Sequence, residues 1–145
     1  MIRRLINPYE MVSRSALPAL RAMVARRMQE QYHMTQQEVA ERLGVTQASV
    51  SNYARRARGS MIDFETDSTV SNAVERIAWL LSAKPPDERE ALKTMTEVCD
   101  YIRFSHLMCS LHQDLEPGYD SENCVACEGV MTGKEFGRLK VAERR

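Results

Sequence analysis

The 145-residue chain contains no apolar run approaching the roughly 18–20 residues that a membrane-spanning helix needs. Its first residues lack the pattern of an export signal, because Arg3, Arg4, Asn7, Pro8 and Glu10 interrupt any apolar stretch. The expectation is a cytoplasmic protein that does not engage a membrane. Glycine is scarce, six residues in all, and none of it forms a loop able to cradle phosphates. There is no Gly-x-Ser-x-Gly elbow and no pair of carboxylates in a catalytic frame. His33, His106 and His112 have no evident nucleophile to serve. These absences argue against an enzyme. Alternating strand patterns and internal repeats are missing too, which points to an all-α fold.

The formal net charge is zero, a value that by itself argues against a polyanionic partner. Its distribution reverses that argument. Residues 1–60 hold ten Arg, no Lys and four Glu, a net +6, whereas residues 61–145 hold ten basic and sixteen acidic side chains, a net −6. A basic segment of this kind gains affinity for DNA by releasing condensed counterions, although a solvated arginine-rich surface has the same composition.

Apolar residues at helical spacing define the elements. Leu20, Val24 and Met28 predict a helix from Pro18 to about Tyr32, with His33 just past its end. Thr35 and Glu38 have the spacing of a capping box, Val39, Ala40 and Leu43 give the next helix a buried face, and Gly44 ends it. Thr46 then caps a third helix running through Val50 and Tyr53 to about Arg56. Residues 58–64 read as a connector. Ser68 or Thr69 opens a helix carrying Val70, Val74, Ile77 and Leu81, and Pro85-Pro86 breaks it. Asp87 starts another, with Leu92, Met95, Val98 and Ile102 at core spacing, followed by a short helix over residues 107–113. Residues 134–145 form either a charged helix or a disordered tail.

Thr35 to Tyr53 is the most specific segment. Small Ala40 permits a close helix crossing, Gly44 supplies a left-handed turn, and Val39, Val45 and Val50 fill the space between two short helices. Packing alone does not require polar Gln47, Ser49, Ser51 and Asn52 on the outward side of the third helix. The segment resembles the Cro or xenobiotic-response-element type of helix-turn-helix, a likeness extending from Leu20 to roughly Gly59. The resemblance implies a phosphate contact at Gln36 and base-edge positions at Gln47, Ala48 and Asn52, with Ser51 a further possibility. Gln and Asn can each bind adenine through a bidentate pair, and the Ala48 methyl can meet a thymine methyl. Arg55, Arg56 and Arg58 would suit phosphates. Arg42 has the composition of a surface ion pair.

All four cysteines fall within residues 99–127. In a cytosolic chain such clustering indicates a metal or redox site more than disulfides. Cys124-Val-Ala-Cys127 is a thiolate pair of metal-site spacing, and Cys109-Ser-Leu-His112 repeats that spacing upstream. Two assemblies stay open on spacing. Cys109, His112, Cys124 and Cys127 would form a zinc knuckle, whereas Cys99, Cys109, Cys124 and Cys127 would hold an iron–sulfur cluster. Asp114, Glu116, Asp120, Glu122 and Glu128 read as a solvated acidic rim.

As a whole the chain resembles a group of archaeal regulators that join this helix-turn-helix to a cysteine-bearing C-terminal region. The likeness rests on Leu17-Pro-Ala-Leu-Arg21, Gly44-Val-Thr-Gln47 and the two spaced pairs. It implies a [4Fe–4S] sensor rather than zinc, with residues 1–60 binding DNA and residues 61–145 forming a helical dimerisation and sensor region. The expected partner is double-stranded DNA bearing a palindromic operator, met by a homodimer. Rival readings are a regulator with a structural zinc, an iron–sulfur electron carrier, and an antitoxin-like adaptor.

Overall fold

Asn7 opens the first helix. Its side chain accepts the Tyr9 amide at 2.8 Å, and Pro8 takes the first helical position, where a missing N–H costs nothing. In this computed structural model, which describes residues 5–55 and 63–128, every regular element among the described residues is helical. The helix α1 (Pro8–Met11) passes through a π-helical stretch, Val12–Ala16, directly into α2 (Leu17–Tyr32). The sequence predicts a start only at Pro18, because an internal proline reads as a boundary. Instead the Leu17 amide reaches back five residues to the Val12 carbonyl, so the ladder slips just where Pro18 cannot donate.

Two short helices follow, α3 (Gln36–Leu43) and α4 (Gln47–Ala54). Then come α5 (Ser68–Ser82), α6 (Glu88–Phe104) and α7 (Cys109–Leu115). Asp67, rather than Ser68 or Thr69, caps α5 by accepting the Val70 amide, and Asp87 caps α6 through the Glu90 amide. The last helix begins and ends two residues later than expected. Residues 134–145, Arg56, Arg58 and most of the connector lie outside the described residues, as does the expected boundary near residue 60.

One apolar cluster runs from Met11 to Met108 through both segments of the chain. Leu20, Val24 and Met28 of α2 are fully buried beside Val39, Val50, Val70, Val74, Ile77 and Ile102. The α2 helix is central, packing against α3, α4 and α5, while α5 and α6 form an antiparallel hairpin. Val98 and Ile102 of α6 are buried as expected, but in its first half Ala91 and Thr94 take the inward positions expected of Leu92 and Met95. Ala91, Thr94, Val98 and Ile102 point to the core, Thr94 returning its hydroxyl to the Glu90 carbonyl at 2.8 Å, while Leu92 is 69% exposed.

Charge also ties the two segments together. Arg27 of α2 donates to Glu75 at 2.8 Å and to Ser71 at 3.1 Å on α5, and Arg26 reaches Glu65 at 3.3 Å. Gln31 donates to Glu75 as well, at 2.8 Å. Part of the positive charge of residues 1–60 is therefore spent inside the molecule. Arg42 is no surface ion pair: it donates to the carbonyls of Leu81 and Ala83 at 3.2 and 3.0 Å, closing the C-terminal end of α5.

Candidate nucleic-acid interface and cysteine region

The α3–α4 unit is built from both ends of each helix. Thr35 accepts the Glu38 amide at 3.2 Å and donates its own amide to the Glu38 carboxylate at 2.7 Å, completing the capping box. The Thr35 amide donated to the carboxylate, helped by the Thr35 side chain, holds the Glu38 carboxyl below its ordinary pKa. Gly44 ends α3 at φ 66°, in the left-handed region, and the Val45 amide returns to the Ala40 carbonyl at 3.0 Å. Thr46 then caps α4, accepting the Ser49 amide at 3.1 Å.

Inside this frame Val39, Ala40, Val50 and Tyr53 are buried, which fixes how α4 rolls about its axis. The roll leaves Gln47 and Ala48 exposed at the start of α4 and Ser51 and Asn52 half-buried one turn on. Gln36 sits half-buried at the first position of α3. Arg55, exposed at the end of α4, donates to Ser51 Oγ at 3.1 Å. Ser51 thus steadies a cation and is less available to a base. Arg56 falls outside the described residues.

The cysteine region is less regular. Glu116, expected on a solvated rim, is buried instead, receiving the Ile6 amide at 3.2 Å and His112 Nε2 at 3.1 Å. The latter contact is an i,i+4 pair at the end of α7, and His112 also stacks on Tyr119 with ring centroids 4.0 Å apart. His112 is thereby engaged in holding residues 5–7 and the turn after α7. Asp114, Asp120, Glu122 and Glu128 are exposed, as expected of a rim.

Cys109 and Cys127 line one small hollow with His106 and His112, and the charge of Cys124 reaches both thiols. Burial, reinforced by that charge, raises the Cys109 and Cys127 thiols above their ordinary range, with Arg103 opposing the rise at Cys127. His106 Nδ1 approaches Cys109 Sγ at 3.5 Å. Cys124 accepts the Ala126 amide at 3.4 Å and is bonded to the Tyr119 hydroxyl. That bond is the main reason the Tyr119 phenol is pushed up to about 12.

Cys99 is not with them. It lies on α6 in a groove beside Arg21 and Asp100, and burial drives its thiol up to about 11. A four-thiolate cluster therefore does not gather in this fold, and among the described residues no group of three or more His, Cys, Asp or Glu converges as a metal site. The sequence pointed to four ligands because they are near in number. It had no signal for the helical phase that turns Cys99 away, nor for the burial of Glu116.

Comparison with known families gives one match: a family described as helix-turn-helix covers residues 24–66, from the middle of α2 past α4. No curated protein and no solved structure matches the chain.

Proposed function

We propose, from the premise that residues 24–66 are a helix-turn-helix domain of the Cro type, that this DNA-binding transcription regulator reads its operator with the N-terminal half of α4. The observation that carries the reading is the roll of α4. Val50 and Tyr53 anchor it from below, so Gln47 and Ala48 lead outward with Asn52 one turn behind. A side chain at the start of a recognition helix is the one that reaches base edges in a groove about 12 Å wide. Gln47 and Asn52 take the adenine-type contacts, Ala48 the thymine methyl, and Gln36 and Arg55 the phosphates. Arg55 is held for that purpose by its bond to Ser51.

The regulator acts as a homodimer on a palindromic site, with α5 and α6 pairing the subunits. An electron carrier has no use for a polar, outward-facing α4, and this disfavours that rival.

For the cysteine region the proposal is narrower than a [4Fe–4S] cluster on four thiolates. Cys109, Cys124 and Cys127 do not converge in this fold, and the proposal is that zinc or iron draws these three thiols together, with Cys99 on α6 outside the set. The Ala126 amide, 3.4 Å from Cys124 Sγ, supports this as the kind of backbone donor that orients a metal-bound sulfur. Elemental analysis after anaerobic purification decides it. Metal bound by wild type and by Cys99→Ser, and lost in Cys124→Ser, agrees with the three-thiol site; equal loss in both variants returns Cys99 to the ligand set.

Readout is tested by selecting an operator from random DNA and titrating variants across salt concentrations. Gln47→Ala and Asn52→Ala relax base preference at defined positions, each by about 1–3 kcal/mol. Arg55→Ala weakens all sequences alike and lowers the salt slope by about one. Uniform loss in all three variants removes the base-reading assignment.

A further inference from the structure

A groove of about 630 Å³ runs along one face of α6, and no role described above uses it. Its floor and walls come from four places: α6 itself, the end of α5 at Ile77 and Leu81, the end of α3 at Leu43, and the N-terminal helix at Val12 and Leu17. On α6 it runs from Glu88 to Arg103, sixteen residues or about 22 Å of helix. The half-buried or exposed stripe Leu92, Met95 and Cys99, displaced from the core by the register of α6, lines its length. Cys99 contributes as a neutral, apolar thiol. The volume lies within the roughly 300–1,000 Å³ of small-molecule sites, and the lining is mostly apolar with a few polar groups, as such sites are.

The two ends differ in charge. At the α7 end stands Arg103, only 8% exposed, whose Nε has no hydrogen-bond partner among the described residues. The guanidinium is wedged over the rings of Tyr9 and Phe104, at 4.9 and 5.1 Å, and its nearest carboxylate, Asp100, is 3.8 Å away. The Nε is itself sealed from solvent, so what Arg103 offers the groove it lines is its charge, which favours a ligand group of opposite sign. Arg21, half-buried and without an ion pair among the described residues, lies close to Cys99, one turn before Arg103. At the opposite end the charged side chains are the exposed Glu41 and Glu88, with Arg42 already held by two backbone carbonyls.

We propose that this groove binds a chain-like apolar carboxylate, its head at Arg103 and Arg21 and its tail along Met95 and Leu92 towards Leu81 and Leu43. The acidic far end repels a carboxylate head, so the ligand enters in one orientation. The tail would press on the last turn of α3, against which α4 is set by Gly44. Any effect on operator affinity rests on the helix-turn-helix reading; binding itself does not.

The test is calorimetric titration of the full chain, without DNA, using decanoate below its aggregation concentration, with decanol and decyltrimethylammonium as matched probes. The expected result is one saturable decanoate site per chain, with decanol at least tenfold weaker and the cation not bound. Arg103→Gln and Leu92→Glu each weaken decanoate at least tenfold, and Arg21→Gln about threefold. Where the buried Arg103 variant fails to fold by circular dichroism, Arg21→Gln and the exposed Leu92→Glu decide. Absence of saturable binding, equal binding of all three probes, or wild-type affinity in the folded variants overturns the proposal. A failure here with intact operator selectivity separates it from the DNA-reading proposal.

Discussion

Thr46 holds the start of the reading helix through a single oxygen, which accepts the Ser49 amide at 3.1 Å and pairs with the Ser49 hydroxyl at 2.9 Å. Replacing it with alanine leaves the helix entrance without its cap at a cost of about 1 kcal/mol. Thermal unfolding of Thr46→Ala should shift down by about 3 °C, with Thr46→Ser close to wild type. Fraying should also lower operator affinity, since Gln47 and Ala48 sit in that first turn. A Thr46→Ala protein with unchanged melting would show the cap to be dispensable. Cys99 supplies a second residue-level prediction, with its sign set by linkage. Burial raises its thiol from 9.0 to about 11, Asp100 adding to the rise and Arg21 opposing it. The folded state therefore holds the proton more tightly than the unfolded chain. The stability this confers is complete below pH 9 and is lost as pH climbs through about 11. Urea midpoints measured between pH 8 and 10.5 should fall less steeply in Cys99→Ser than in wild type. Parallel curves would mean that the thiol is not desolvated as its place in the groove requires.

At the level of elements, charge that reads as DNA-binding in composition proves partly structural. Arg27 belongs to the basic segment, yet its side chain is only 16% exposed and bridges Glu75, Ser71 and Glu65. Arg27→Met should destabilise the α2–α5 pairing by about 1 kcal/mol, because it removes the bonds to Glu75 and Ser71 and leaves Gln31 alone on Glu75. The salt slope of DNA binding should stay at its wild-type value, and a slope lowered by about one would place Arg27 at a phosphate instead. The capped, short-range features were legible in sequence for a physical reason. Thr35 with Glu38, Gly44 and Thr46 act on neighbours within four residues, so their spacing determines their geometry. Long-range phase is another matter. The π-helical slip before Pro18 merges two helices that a proline appears to separate, and Asn7-Pro8, a cap and a first-turn proline, was the signal for the true start. Leu92 and Met95 sit at core spacing on α6, but spacing defines a stripe without saying which of two neighbouring stripes meets α5. Glu116 was misplaced on the surface because its partners, Ile6 and His112, join it only once the N-terminal residues lie against α7.

Taken whole, the molecule presents one eight-residue reading helix, which is too little surface for a regulator to find its site alone. A helix of that length contacts only a few base pairs, and each mismatched pair costs about 1–3 kcal/mol, so selectivity grows by adding a second half-site. A two-fold dimer does this when it sets its reading helices about 34 Å apart on one face of the duplex. The dimer proposed above would pair through the α5–α6 hairpin. Its inner face is consumed by the core, whereas its outer face carries Trp79, 57% exposed and the single tryptophan of the chain. The flanking Arg76–Glu90 bridge at 3.1 Å locks the two helices into a common surface. An exposed indole is an unusual thing to leave in water and is enriched where partners meet. Sedimentation at micromolar concentration should therefore give a dimer, and dilution should shift the Trp79 emission to the red as the indole is uncovered. Trp79→Lys should yield a folded monomer whose affinity for a full palindrome drops towards that for a half-site. A Trp79→Lys protein that stays dimeric and binds the palindrome as wild type would move the pairing surface off this hairpin.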